Sequence, residues 1–277
     1  MEKQRADRTR YIAIAYLTAF VGGFCVMVVE IIAGRLIARY LGASLYTWTS
    51  VIGVVLSGIA LGNYAGGRTA DIFPVRKTIS LLFITASLSC VLVPVLNNIF
   101  GNAAIFVQFS WPIRVAAHVA IIFFFPSCIL GMISPLVAKL ALDQGFKTGR
   151  TIGDIYAWAA VGSILGTFVT GFFLIATIGT VAVVWMVAGI LAVMGIAYSK
   201  KDTSARLWLF IFILLWVISY APLGWARTIA GNLFLTEPNK EDTIYKKDSQ
   251  FAYIAIERDG QNAGIYNFRL DLSLWLV

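Results

Sequence analysis

Apolar residues in this chain neither alternate nor recur as a narrow stripe; they fill long blocks. Runs at 11–33, 47–66, 78–98, 115–138, 153–175, 180–198 and 207–224 each approach the roughly 20 residues that a helix needs to cross about 30 Å of hydrocarbon. A large soluble bundle would keep a charged outer face on such helices, and most of these runs have none. After Gly224 the pattern changes. A polar stretch beginning TEPNKEDTIYKK leads into an alternation through Phe251, Tyr253 and Ile254-Ala255-Ile256, and a second short run spans Ile265 to Leu270. Two β-prone runs around Asp259-Gly260 predict a hairpin. The expected architecture is an all-α membrane helical bundle of about seven transmembrane helices, with a short C-terminal β-hairpin tail. Residues 1–10 form an N-terminal segment, 11–224 the bundle and 225–277 the tail.

Composition sharpens this picture. With 59% hydrophobic and 13% charged residues and a mean hydropathy of +0.82, a soluble globular domain is excluded. The formal charge of +8 could suggest nucleic acid, but the positions of the charges give it another meaning. Lys3, Arg5, Arg8 and Arg10 precede the first run; Arg68, Arg76 and Lys77 follow the second. Lys139, Lys147 and Arg150 follow the fourth, and Lys200, Lys201 and Arg206 the sixth. The opposite side receives Arg35, Arg39 and Arg114. That bias predicts a multi-pass protein of the cell inner membrane with a cytoplasmic N-terminus, whose partner is the lipid bilayer and not nucleic acid. The first run is too long for a signal-peptide core and lacks a small-residue cleavage site, so it reads as a retained helix.

Few residues carry recognisable chemistry. Cys25, Cys90 and Cys128 lie inside the runs without a CxxC or a histidine neighbour, which predicts buried thiols and no metal site. The single histidine, His118, reads as a packing or hydrogen-bonding residue, with a proton relay as the alternative. Gly58, Gly62 and Gly66 share one helical face, as do Gly162, Gly166 and Thr170. Such ridges allow close backbone approach within the bundle or, alternatively, in a homodimer. Pro94, Pro126 and Pro135 are expected to kink or end their helices. Other polar residues in the runs are sparse, chiefly Ser57, Ser87, Ser89, Ser134 and Thr167.

Charge inside a span is expensive, so Glu30 stands out. Three readings are open: Glu30 pairs with Arg35, Arg39 or another basic group, it lines a cavity facing a cationic ligand such as a polyamine, or it is protonated inside the bundle. Arg68, Asp71, Arg76 and Lys77 crowd a short turn, where Asp71 among basic residues predicts a clamp between the second and third helices. Lys147, Arg150 and Asp154 form a smaller cluster at the entry to the fifth run.

The sequence GGRTAD followed by Arg76-Lys77 resembles the loop between the second and third helices of major facilitator superfamily transporters. The segment VEIIAGRLIARYLGASLYTWTSVIGVVLSGIALGNYAGGRTAD is similar to the N-terminal membrane part of spermidine-synthase-like membrane proteins. GRTIGDIYAWAAVGSILGTFVTGFFLIATIG resembles a later helix pair of the same proteins. The resemblance covers roughly residues 15 to 270. It implies a transporter-like bundle fused to an aminopropyltransferase-like domain that uses decarboxylated S-adenosylmethionine.

The tail resembles the opening strand of spermidine synthases over EDTIYKKDSQFAYIAIE, where Tyr245, Ser249, Gln250, Tyr253 and Glu257 match the family pattern. Ala252 stands where the family has an amide that helps line the donor site, Phe251 where it has Tyr, and Leu272 where it has Gly. The family's glycine-rich loop, ribose-binding acid and catalytic Asp have no counterpart in these residues. The tail therefore reads as the truncated start of such a domain, with no catalytic residue and no cofactor of its own. Seven crossings from a cytoplasmic N-terminus would put the tail outside, whereas the resemblance implies a cytoplasmic donor. Three functions follow: the membrane portion of a spermidine-synthase-like protein, polyamine-related and without a catalytic core; a small transporter-like bundle for cations or polyamines; or a non-catalytic membrane anchor or assembly partner.

Overall fold

A computed structural model describes residues 2–102, 108–199, 203–220, 243–248, 252–258 and 266–272. Among them the chain forms α1 (Glu2–Leu41), α2 (Leu45–Ile72), α3 (Val75–Asn102), α4 (Trp111–Leu142), α5 (Thr148–Val169), α6 (Thr180–Tyr198) and α7 (Thr203–Tyr220). A π turn at Thr170–Leu174 carries α5 into one last turn, Ile175–Ile178. Among the described residues six segments are long and apolar enough to cross a membrane: Arg10–Leu41, Leu45–Ile72, Val75–Gly101, Trp111–Leu142, Thr148–Ile178 and Thr180–Tyr198. The seventh expected run, 207–224, coincides with α7, whose described apolar part is the shorter Arg206–Ser219; residues 221–224 lie outside the described residues.

Local chemistry explains the breaks. Gly42, at φ 69°, lets the chain leave α1 in a left-handed conformation that side chains disfavour. Ser44 then caps α2, its hydroxyl accepting from the Thr47 amide at 3.2 Å, which satisfies one of the orphan donors of a helix start. Pro112 sits in the first turn of α4, where a missing N–H costs nothing. Pro94, Pro126 and Pro135 lie inside continuous helices and end none of them.

The tail contributes β1 (Thr243–Asp248), β2 (Ala252–Arg258) and β3 (Tyr266–Leu272), paired antiparallel in the order β1-β2-β3. Ile254 faces Leu270 across β2 and β3. β1 occupies residues that the sequence pattern assigned to a polar lead-in, and the Asp259-Gly260 turn lies outside the described residues.

Helix contacts follow a simple plan. α2 packs on α4, α1 on α5 and α3 on α6, with α3·α4, α1·α6, α1·α2 and α4·α5 as further contacts. Exchanging α1 with α4, α2 with α5 and α3 with α6 maps these main contacts onto one another. Consecutive crossing helices alternate in direction, so the bundle is two three-helix units of inverted orientation.

Glycine contacts show the same relation atom by atom. A Cβ on Gly62 of α2 would meet the Cys128 carbonyl oxygen of α4 at 2.1 Å, and one on Gly162 of α5 would meet the Phe20 carbonyl oxygen of α1 at 2.0 Å. In the reverse direction Gly131 lies on the Ile59 backbone and Gly23 on that of Ala159. Both predicted glycine ridges therefore pack inside the bundle, with Gly58 and Gly66 against α4 and Gly166 against α1. Between α3 and α6 the link is polar: Ser80 and Ser87 donate to the Gly195 and Ala188 carbonyls at 2.6 and 2.7 Å. The core lies where α1, α3, α4 and α6 meet, around Ile32, Phe83, Phe123 and Trp185. α2 and α5 are the least buried spans.

Candidate functional site in the membrane-spanning bundle

Glu30 stands on α1 beside the buried Val28, Val29 and Ile32 and is itself half-buried. The structure does not make the expected ion pair. Among the described residues Glu30 has no hydrogen-bond or salt-bridge partner. Arg39, one of the partners expected for it, donates instead to the Thr180 hydroxyl at the start of α6, and Arg35 is half-buried a turn below it. The physical reason is directional: side chains on a helix meet at spacings of three or four, and Arg35 and Arg39 lie five and nine residues from Glu30. What remains is an acidic side chain within a span, where one carboxylate costs about 3 kcal/mol on insertion scales.

The charged loop after α2 also differs from the expected clamp. Asp71 pairs with Lys139 of α4 at 3.4 Å, and Lys139 also lies 3.7 Å from Asp143. The link thus joins α2 to α4 and not α2 to α3, as the ridge packing of those two helices requires. Arg68 places its guanidinium 3.5 Å from the centre of the Tyr64 ring. Arg76 donates to the Tyr198 carbonyl at 3.3 Å, holding the start of α3 to the end of α6; Lys77 lies beside it on α3. The Asp71 carboxylate is 74% exposed, so this is a solvated surface pair.

Asp154, read from sequence as part of a cluster with Lys147 and Arg150, does tie helices together. It accepts from the Tyr16 hydroxyl of α1 at 2.7 Å and has Arg150 at 3.8 Å. Tyr16 also stacks on Trp158, with ring centres 6.3 Å apart.

Sequence reasoning overlooked a buried polar group between α1, α3 and α4. The Asn97 amide donates to the Leu36 carbonyl at 3.2 Å, so its oxygen faces His118 and accepts from Nε2–H at 3.2 Å. Both side chains are almost wholly buried. This fixes one imidazole tautomer and makes His118 a hydrogen-bonding residue. Next to it, Tyr40 donates to Asn98 at 3.1 Å. Adjacent Asn97-Asn98 inside an apolar run was the available signal, because buried amides require partners. Thr18 and Tyr198 form a second overlooked pair, their hydroxyls 2.6 Å apart and buried.

The sparse hydroxyls of the spans are mostly occupied. Ser57, Ser89 and Thr167 bond carbonyls of their own helices, and Ser87 also accepts from the Trp208 indole of α7 at 3.1 Å. Cys25 and Cys90 are buried, Cys128 is half-buried, and all three are free thiols. Of the family-like tail residues, Tyr245 lies on β1 opposite Ile256, while Tyr253 and Glu257 lie on β2 opposite Asp271 and Asn267. Ser249 and Gln250 lie outside the described residues. Against known proteins, no family model, no curated protein and no solved structure matches this chain.

Proposed function

We propose that this chain is the transporter-like membrane portion of a spermidine-synthase-like protein of the cell inner membrane, and that it offers polyamine-type cations a site at Glu30. The observation that carries this reading is the unpartnered Glu30 carboxylate inside α1. A bound polyvalent amine, opposite in sign, offsets the cost of that charge. Inverted three-helix units support the same reading, since secondary transporters place substrates near the bilayer midplane between such units. The β-rich tail is the start of an aminopropyltransferase-like domain in this proposal, and the N-terminus is cytoplasmic. Reporter fusions after Asp71 and after Gly149 should then both read cytoplasmic.

The direct test is equilibrium binding of radiolabelled spermidine to purified protein in nanodiscs. Saturable binding that falls at least about tenfold in affinity in Glu30→Gln, corresponding to about 1.4 kcal/mol, with an unchanged melting temperature, supports the site. Equal binding by parent and variant, or no saturable binding by the parent, removes it.

A further inference from the structure

The far end of α5 behaves differently from the rest of the bundle. Ser and Thr side chains in these helices habitually bond the carbonyl four residues back: Thr18 to Ile14, Ser57 to Gly53, Thr85 to Leu81, Ser127 to Phe123, Thr167 to Ser163 and Thr177 to Phe173. Ser80 and Ser87 reach a neighbouring helix instead, and Thr170 bonds nothing through its side chain. It is fully buried with ordinary helical angles, φ −68° and ψ −50°, yet its hydroxyl has no hydrogen-bond partner. An unpartnered buried hydroxyl costs about 1–3 kcal/mol.

Thr170 also opens the π turn, in which the Ile175 amide reaches back five residues to the Thr170 carbonyl. Such a turn holds one residue more than the α-helical ladder accommodates. The glycine ridge also ends here: Gly162 and Gly166 lie directly on the α1 backbone, a Cβ on Gly171 would meet nothing within 4 Å, and beyond the turn Ile175 is buried again. The segment ends at Gly179, φ 80°, a single residue before α6 begins at Thr180, which holds Arg39 of α1.

We propose that Thr170–Ile178 is a movable segment of α5 that interconverts between the π turn and a regular α turn, and that this motion loads or releases the Arg39–Thr180 contact. Expelling the extra residue turns everything beyond Thr170 by about 100° and advances it by about 1.5 Å. A one-residue link cannot absorb that, so the displacement passes to Thr180. The hydroxyl of Thr170 is unpartnered in the π form, whereas its backbone amide already bonds the Gly166 and Thr167 carbonyls. A π turn and an orphan group at one place, coupled to an interhelical contact, are the marks of a two-state element.

Hydrogen–deuterium exchange on the protein in nanodiscs tests this without any ligand. Amides of residues 171–178 should exchange at least about tenfold faster than those of 155–166. They should also exchange faster than those of 67–72, the corresponding end of α2, which controls for ordinary fraying. Deleting Gly171 removes the extra residue and should bring 171–178 to the protection of 67–72. Equal protection of 171–178 and 67–72 in the parent, or unchanged exchange after the deletion, overturns the proposal. If the deletion fails to fold, Thr170→Val decides. Removing an unpartnered hydroxyl should raise the melting temperature, whereas an unchanged or lowered value shows that the hydroxyl carries no such cost and overturns the proposal.

Discussion

Replacing Gly62 by Ala tests one of the closest helix contacts among the described residues. The new Cβ would lie 2.1 Å from the Cys128 carbonyl oxygen and 3.0 Å from its carbon. Carbon contacts are comfortable only near 3.5 Å, so α2 and α4 must separate locally by roughly 1 Å or more. No flexible side chain can yield, because the obstructing atoms are backbone. Gly58 and Gly66 belong to the same ridge, so separation at Gly62 loosens contacts above and below it. Overpacking of this kind costs about 1–3 kcal/mol, and the rigid partner places Gly62→Ala near the upper end. Alanine also gains up to about 1 kcal/mol in helix propensity, which Gly53→Ala measures separately, since a Cβ there meets nothing within 4 Å. The expected difference between Gly62→Ala and Gly53→Ala is about 3 kcal/mol. It is read from unfolding of the detergent-solubilised protein followed by tryptophan fluorescence. Gly162→Ala, with its Cβ 2.0 Å from the Phe20 oxygen, should cost a similar amount at the separate α1·α5 contact, and the two effects should add. A Gly62→Ala protein within about 0.5 kcal/mol of Gly53→Ala would refute the contact, and with it the paired-unit plan of the bundle.

Asp71→Asn should cost no more than about 1 kcal/mol, because its pair with Lys139 is largely solvated; a drop several times larger in the same unfolding assay would show that the pair is desolvated in the membrane. Asn97→Ala should cost about 1–3 kcal/mol, since it strands the His118 N–H in the core and removes a second bond to the Leu36 carbonyl. A near-neutral melting curve would show that neither bond contributes.

Much of the helical layout was legible because the bilayer demands long apolar runs. The six long spans fall on six of the predicted runs, with ends extended by polar turns such as Glu2–Arg10 in α1. The glycine ridges were legible as ridges, because spacing of four puts residues on one face. Which helix lies across each ridge was not, since sequence spacing is silent about partners. The same limit explains Asp71: its spacing suggested basic neighbours in the loop, while the partner Lys139 comes from α4. Glu30 was legible as an anomaly, but its lack of a partner depends on where Arg39 points. The repeat was written in the chain and overlooked. Ile52-Gly53, Gly62 and Gly66 recur as Ile152-Gly153, Gly162 and Gly166. The flanking residues differ because the two units meet opposite faces of the membrane.

That inversion gives the departures from symmetry their meaning. Paired glycine contacts make Phe20 the counterpart of Cys128 and Phe24 that of Met132; continuing the register sets Glu30 against Ala138. Through the pairing of Gly66 with Gly166, Asp71 stands against Gly171. Where the first unit carries a carboxylate in its leading helix, the second carries a methyl group. Where α2 ends in a charged turn anchored by Lys139, α5 ends in a π turn with an orphan hydroxyl. Packing residues are shared by the two units because both must solve the same problem of close backbone approach in lipid. Glu30 and Thr170 solve no packing problem. Each leaves a polar group without a partner, and each occurs in only one unit. A bundle selected only to be a stable anchor would have no use for either cost, so variants at these two positions separate the proposed transport role from that of a passive anchor.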